Sequence, residues 1–141
     1  MSTTLVLGYD DSPSANAALA QTLTLAPELG ADVVVVFGYY ISPLGGQGAE
    51  DFRGALEKMG RRALARAVSD LGEAGITVSE RLVAQRPADA LLEVAAEVGA
   101  RLIVVGTEGE NPITGAFLGS VVLKLVQRSS VPLLVVPTTG T

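Results

Sequence analysis

The sequence has no histidine and no cysteine among its 141 residues. Their absence excludes Ser-His-Asp and Cys-His catalysis, thiol redox chemistry, disulfides and zinc sites built from these side chains. Basic residues are also few, with 10 Lys and Arg against 15 Asp and Glu and a formal net charge of −5. Because a nucleic-acid surface needs clustered Lys and Arg, we expect no nucleic-acid partner.

Aromatic residues make up only 4% of the chain, whereas hydrophobic residues of all kinds make up 48%. This balance predicts a core of small aliphatic side chains, and the length fits one domain spanning residues 1–141. The first apolar run, Leu5 to Leu7, is followed at once by Gly8 and Asp10, so it is too short for a signal peptide or a membrane span. We therefore expect a cytoplasmic protein with no membrane partner.

Short apolar runs alternate with Ala-rich or amphipathic segments along the whole chain. Strands are predicted at 4–9, 32–39, 76–83, 102–105 and 131–136. Helices are predicted at 13–29, 49–71 and 88–98, with a fourth beginning at Gly119-Ser120. The alternation predicts an α/β fold: a single-domain, doubly wound, Rossmann-like sheet of five parallel strands in the order 3-2-1-4-5, with about four helices.

The long second helix has the clearest amphipathic pattern, and we expect Gly72 and Gly75 to end it. Its predicted buried stripe consists of Leu56, Met59, Ala63, Ala67 and Leu71. Its predicted solvent face consists of Glu57, Arg61, Arg62, Arg66 and Asp70. In the last helix, Lys124 and Arg128 are expected to complement the negative C-terminal end of the helix dipole.

A glycine-punctuated loop joins the fourth strand to the last helix, with the spacing Gly106-x2-Gly109-x9-Gly119-Ser120. Glycines let the backbone approach a ligand, and a helix N-terminus presents unpaired N–H groups with a partial positive charge. The loop is not a Walker A motif, because no Gly-Lys pair occurs in the chain, and it lacks the G-x-G-x-x-G pattern. A phosphate site is predicted here, with an ordinary flexible loop as the alternative.

The topology places this loop beside a second polar segment. In doubly wound sheets, ligands bind outside the carboxyl ends of the strands where the winding reverses. For the order 3-2-1-4-5 the reversal lies between strands one and four, so residues 10–12 and 106–120 flank it. Asp10 and Asp11 also suit an Asx turn that caps the first helix, and such a turn is compatible with ligand binding.

These segments resemble the universal stress protein family, whose nucleotide-binding branch carries G-x2-G-x9-G-[ST], then a helix and a strand of the P-V-L-V-V type. Residues 131–136, Val-Pro-Leu-Leu-Val-Val, match that strand, and Tyr9-Asp10-Asp11-Ser12 resembles the V-D-G-S opening of the family. The resemblance covers essentially the whole chain. It implies an adenine-nucleotide-binding stress-response or signalling protein that forms a homodimer through the 131–136 edge strand.

The resemblance also assigns contacts to individual residues. It implies that Tyr9 and Asp10 belong to the nucleotide site, with Asp10 contacting adenosine, and that the backbone at Gly38 meets adenine. The remaining implied contacts, to ribose and phosphate, are Gly106, Gly109, Gly119, Ser120 and Val121. The expected cofactor is ATP, with AMP, ADP or cyclic AMP as alternatives, and any Mg²⁺ is expected to be held mainly by the phosphates. No residue of the chain is assigned as a metal ligand.

The charge of the loop departs from the family pattern, because Glu108, with Glu110 nearby, stands where family members often carry Arg or His. A carboxylate about 5 Å from a phosphate charge costs roughly 3 kcal/mol at an effective dielectric near 20, more than the about 2 kcal/mol a helix dipole returns. Either Glu108 points to solvent, or Mg²⁺ mediates, or the site takes fewer phosphates. Arg86, after the third strand, is a candidate phosphate partner or simply a solvated arginine.

Phosphate hydrolysis would need a positioned base or a strong charge clamp at the γ-phosphate. With no histidine and no nearby lysine, we expect binding rather than turnover and assign no catalytic residues, while slow ATP hydrolysis stays open. The alternative function is a dimeric interaction module of the same fold that does not bind nucleotide, in which the acidic loop serves a protein partner.

Overall fold

In the computed structural model, the residues described are 3–41, 48–107 and 119–138. They form five strands and four helices that alternate along the chain. In order, these are β1 (Thr3–Gly8), α1 (Pro13–Leu29), β2 (Ala31–Gly38), α2 (Ala49–Glu73), β3 (Val78–Val83), α3 (Pro87–Val98), β4 (Leu102–Gly106), α4 (Ser120–Arg128) and β5 (Leu133–Val136).

The five strands form one parallel sheet in the order β3-β2-β1-β4-β5, which confirms the predicted topology. The central strand is β1, in which Leu5 lies level with Val33 of β2 on one side and with Leu102 of β4 on the other. The chain passes outward from β1 to β3, returns through α3, and continues outward through β4 to β5. The winding therefore reverses between β1 and β4.

The core has two layers, one on each face of the sheet, because alternate strand residues point to opposite faces. On the face covered by α1 and α2, the fully buried side chains include Leu5, Leu7, Leu64 and Leu71. On the face covered by α3 and α4, they include Val6, Ile103 and Leu125. Valine and alanine fill most of the remaining core positions, as the composition predicts.

The ends of α1 and α3 have residues of the kinds that usually cap helices. The Ser12 hydroxyl accepts a hydrogen bond from the Ala15 N–H at 3.1 Å, and Pro13 occupies the first turn of α1. Gly30 and Gly99 end α1 and α3 with φ of 61° and 62°, in the left-handed region that glycine adopts without strain. No helix in the described part of the chain combines the length and apolarity needed to cross a bilayer.

The prediction for α2 was wrong in two respects. The helix continues through Gly72 to Glu73, and the left-handed residue comes later, at Gly75 with φ of 82°. Met59 is 43% exposed, whereas Gly60 is buried in its place. A Cβ at Gly60 would lie 2.7 Å from both Leu82 Cδ1 and Phe37 Cδ1, so the missing side chain is what lets α2 approach the sheet.

The edge strands are shorter than predicted. β3 begins at Val78 rather than at residue 76, and its middle residues, Ser79 to Arg81, are exposed rather than alternately buried. β5 begins at Leu133 rather than at residue 131, although the Pro132 carbonyl already accepts a hydrogen bond from the Ile103 N–H at 3.0 Å. Both differences arise because an edge strand has a neighbouring strand on one side only.

The close packing at Gly60 leads to a test with a matched control in the same helix. Gly54 has open space around it, so Gly54→Ala should raise the free energy of unfolding by about 0.5–1 kcal/mol through helix propensity. Gly60→Ala gains the same propensity but forces Phe37 and Leu82 to move. We expect it to be at least about 1 kcal/mol less stable than Gly54→Ala in urea denaturation. Equal stability of the two variants would contradict the packing described for α2.

Candidate functional site

The two loops that flank the winding reversal follow the carboxyl ends of β1 and β4. The second of these loops runs from 107 to 119, and its ends are joined by a hydrogen bond from the Gly119 N–H to the Thr107 carbonyl at 2.7 Å. Glu108, Gly109 and Glu110 lie outside the described residues. The hydrogen bond nevertheless fixes where α4 begins, because it ties the residue before the helix directly to the end of β4.

The N-terminus of α4 has no side-chain cap. Gly119 occupies the N-cap position with φ of −69° and ψ of 162°, and it has no side chain with which to cap. The first intrahelical bond runs from the Leu123 N–H to the Gly119 carbonyl at 3.1 Å, so the N–H groups of residues 120–122 precede the helical ladder. Ser120 is exposed, and Val121 is half-buried against the core. Such a helix end suits an anion.

The turn between β1 and α1 comprises residues 9–12, and Asp10 organises it locally. One oxygen of the half-buried Asp10 carboxylate accepts the Ser12 N–H at 3.1 Å, which is the predicted Asx turn. Ser12 in turn caps α1. The position of Asp10 is therefore fixed by the start of the helix that follows it.

Tyr9, the first residue of this turn, is buried in the core and only 2% exposed. Its hydroxyl lies 3.0 Å from Asp11 Oδ1 and 2.6 Å from Asn16 Oδ1. The single hydroxyl hydrogen can be donated to either of these two acceptor oxygens. Burial, followed by the hydrogen bond to Asp11 and the charge of Asp11, raises the pKa of Tyr9.

Asp11 connects the turn to α2, which is distant in sequence. Its carboxylate pairs with Arg66 Nη1 at 2.9 Å, across a separation of 55 residues. The Asp11 and Arg66 side chains are 40% and 57% exposed. The Asp11 backbone has φ of 66°, in the left-handed region that non-glycine residues seldom adopt.

At Gly38 and Gly106 a helix begins so close to the sheet that a Cβ would not fit. A Cβ at Gly38 would lie 2.8 Å from Pro87 Cα and 2.9 Å from Ala90 Cβ, both in α3. A Cβ at Gly106 would lie 2.6 Å from the Ser14 carbonyl carbon and would overlap the Ser14 hydroxyl. Helix packing thus requires glycine at both positions, whether or not a ligand is bound.

Two tyrosines and an arginine, Tyr39, Tyr40 and Arg86, lie just beyond the carboxyl ends of β2 and β3. The Arg86 guanidinium lies 4.5 Å from the centroid of the Tyr40 ring, a cation–π contact that holds Arg86 beside β2. The neighbouring Tyr39 hydroxyl donates to Glu57 at 2.5 Å, and this bond, with burial, raises the pKa of Tyr39. Glu57, which we predicted on the solvent face of α2, is therefore half-buried and hydrogen-bonded.

The cations of α4 are paired with a carboxylate of α3. Lys124 Nζ lies 3.0 Å from one Asp89 oxygen, and Arg128 Nη1 lies 3.8 Å from the other. Arg128 does occupy the last turn of α4, as predicted from the helix dipole. The prediction missed that Asp89 in the first turn of α3 binds both cations and so ties α4 to its neighbouring helix.

The chain is similar along nearly its whole length to proteins of one known family. The profile of the universal stress protein family matches residues 1–137. The chain belongs to the universal stress protein family. A universal stress protein from Thermus aquaticus, found in the 3′ region of a QAH/OAS sulfhydrylase gene, is 34% identical over 134 residues, which cover 94% of this chain and 97% of that protein.

Solved universal stress proteins have the same fold. One, crystallised in complex with cAMP, is 32% identical, with a TM-score of 0.76 over 97% of this chain and 98% of that one. Another, from Archaeoglobus fulgidus in complex with dAMP, is 24% identical, with a TM-score of 0.68 over 96% of this chain and 98% of that one. At that lower identity the second likeness shows the fold alone.

In this universal stress protein the predicted site residues divide into groups. Those that flank the winding reversal are Asp10, Gly106, Gly119, Ser120 and Val121. Gly38 ends the adjacent strand β2, and Tyr9 is buried beneath the first turn. Gly109 lies outside the described residues. The structure thus brings the ends of β1 and β4 and the start of α4 to one place, and the roles of these residues in binding remain predictions.

Sequence reasoning missed three participants at this rim. Thr107 holds the start of α4 through its carbonyl group, which any residue type could provide. Asn16 and Arg66 support the first turn through contacts that depend on how the helices pack. Only the one-turn spacing of Asn16 from Ser12 could have drawn attention to it, and nothing in the sequence links Arg66 to Asp11.

Proposed function

We propose that this universal stress protein binds an adenine nucleotide at the rim between β1 and β4, with ATP as the expected nucleotide. The observation that carries the proposal is the uncapped N-terminus of α4, which the bond between Thr107 and Gly119 holds at the winding reversal. The relative at 32% identity that was crystallised with cAMP supports it, because that protein takes an adenine nucleotide on the same fold.

The residues have distinct proposed roles. Asp10 binds the adenosine part, and the backbone at Gly38 borders adenine. Gly106 and Gly109 leave room along the ribose and phosphates. The N–H groups at the start of α4, together with the Ser120 hydroxyl, bind a phosphate. Tyr9 acts mainly by supporting Asp10, because its own side chain is buried.

The number of phosphates depends on charge. The sequence has no Lys or Arg from Gly106 to Leu123, and the next cation, Lys124, is paired with Asp89. A phosphate at α4 would therefore rely on N–H groups and the helix dipole, a contribution of at most about 2 kcal/mol. ATP would need Mg²⁺, held mainly by its own phosphates, whereas AMP, ADP and cyclic AMP place less charge at the site.

The proposed activity is binding rather than turnover. The chain has no histidine, and the two nearby cations are already paired, Arg66 with Asp11 and Lys124 with Asp89. Slow ATP hydrolysis is compatible with the site, but an efficient ATPase is not expected. We further infer a single-domain protein that acts in a cytoplasmic stress or signalling response.

Ser120→Glu provides a direct test of the phosphate position. A carboxylate at the start of α4 complements the helix dipole, so the variant should be as stable as the wild type or slightly more stable. The same carboxylate should repel phosphate and weaken binding of AMP and ATP at least about tenfold, with adenosine affinity unchanged. Calorimetric titration measures all three affinities.

Ser130→Glu is the matched control, since it adds the same charge at an exposed position beyond the opposite end of α4. It should bind all three ligands as the wild type does. Equal affinity of Ser120→Glu and Ser130→Glu for ATP would show that no phosphate binds at α4 and would contradict the proposed site.

We also propose that the protein forms a homodimer through β5. This strand is apolar and lies at an edge of the sheet, where unpaired backbone groups can pair with a second chain. Exposed Leu123 and Val126 on the adjacent helix α4, at 51% and 61% exposure, would extend the apolar contact. Because Ile103 bonds to Pro132, and alternate residues face each side, the N–H groups of Leu133 and Val135 point away from β4.

Val135→Pro should therefore give a folded monomer, because it removes an outward N–H and leaves the bonds to β4 in place. Val135→Ala is the control: it loses the same side-chain packing but retains the N–H, and it should remain dimeric. Light scattering after size exclusion distinguishes a 14.4 kDa chain from a dimer. A dimeric Val135→Pro protein, or a monomeric wild type at high concentration, would rule out this interface.

The second candidate function is an interaction module of the same fold that does not bind nucleotide. The observation that favours it is charge: Glu108 and Glu110 make the loop acidic, and Lys124 is engaged elsewhere. In that case a protein partner with a basic surface would bind the loop. The adenosine titration above separates the two candidates, because this module would bind neither adenosine nor its phosphates.

A further inference from the structure

We propose that Asp11 and Arg66 form a strut that fixes the turn at residues 9–12 and thereby sets the affinity of the site for adenosine. The inference rests on the nucleotide site proposed above, because the residue that the strut positions is Asp10. Asp11 and Arg66 act through Asp10 and are therefore positioning residues.

The backbone of Asp11 has an unusual conformation. With φ of 66°, Asp11 is the one non-glycine residue with positive φ among those the structure describes. Aspartate tolerates this region better than most residues, but glycine adopts it without strain. A glycine would therefore suit the backbone better, so the aspartate is explained by what its side chain does.

The Asp11 carboxylate contacts two residues outside its own backbone turn. It pairs with Arg66 Nη1 at 2.9 Å and accepts the Tyr9 hydroxyl at 3.0 Å. Arg66 lies in the interior of the 25-residue helix α2, and Tyr9 is buried in the core, so the carboxylate is held between two regular elements of the fold. An ion pair this exposed contributes little to global stability. Its main consequence is geometric, since it holds the turn against α2.

Asp11 lies inside the hydrogen-bonded turn that orients Asp10. Asp10 Oδ1 accepts the Ser12 N–H at 3.1 Å in a bond that spans Asp11, so the geometry of this bond depends on the backbone conformation of Asp11. Releasing the strut lets Asp11 leave that conformation, and Asp10 then loses its fixed orientation. If ligand binding must then fix the backbone of one residue again, the conformational entropy lost lowers the affinity about five- to thirtyfold.

The test uses calorimetric titration of the full chain with adenosine, AMP and ATP. The variants are Asp11→Gly, Arg66→Gln, the double variant and Arg66→Lys. Arg62→Gln is the matched control, because Arg62 is an exposed arginine one turn earlier in α2. Hydrogen exchange of the Ser12 amide in the protein without nucleotide reports on the turn itself, independently of ligand binding.

We expect Asp11→Gly and Arg66→Gln each to weaken binding of all three ligands by about five- to thirtyfold. The double variant should bind no worse than either single variant, because both changes break the same contact. Arg66→Lys should restore most of the affinity, Arg62→Gln should bind as the wild type does, and thermal stability should change little. Exchange of the Ser12 amide should accelerate in Asp11→Gly, in Arg66→Gln and in the double variant, but not in Arg62→Gln.

Three results would overturn the inference. If the wild type binds adenosine but Asp11→Gly and Arg66→Gln bind it equally well, the strut has no role although the proposed function stands. If the wild type binds none of the three ligands, the proposed function fails and the strut has no ligand site to position. Unchanged Ser12 exchange in both variants would refute the strut by itself, whatever the titrations show.

Discussion

The sheet and its helices depend on two places where a helix begins so close to a strand that no Cβ fits. At Gly106 the first turn of α1 lies against the end of β4, and at Gly38 the start of α3 lies against the end of β2. The first contact crosses the winding reversal, because α1 follows β1 and packs against β4, and the second lies on the opposite face of the sheet at the end of β2. A side chain at either glycine would push a helix outward and widen the rim on which the proposed site depends.

Within that frame, the rim is organised by backbone groups more than by charged side chains. The start of α4 is set by the bond between Gly119 and Thr107, and its first N–H groups are left for a ligand. The nearest cation of α4, Lys124, is used to bind Asp89 and so to fix the helix. An anion at this rim would be recognised by geometry and by the helix dipole, with little help from side-chain charge.

The sequence was sufficient to predict the fold, because periodicity, glycine caps and Pro13 act locally and agree with one another. It was less informative wherever partners meet through tertiary packing. Met59 fits a helical stripe as well as Gly60 does, and only the proximity of Phe37 shows that α2 needs a glycine facing the sheet. For the same reason the contact between Asp11 and Arg66 could not be predicted, although each of its two elements was.

The most direct test of the central claim is an amide chemical-shift titration of the isotope-labelled protein with ATP and Mg²⁺, since it reports both binding and location. A nucleotide site at the winding reversal predicts saturable chemical-shift changes concentrated at Asp10, Gly38, Gly106 and the first turn of α4. Adenosine should reproduce the changes at Asp10 and Gly38 but not those at α4. Shifts confined to β5 or to α2, or no shifts at millimolar nucleotide, would contradict a nucleotide site at the winding reversal.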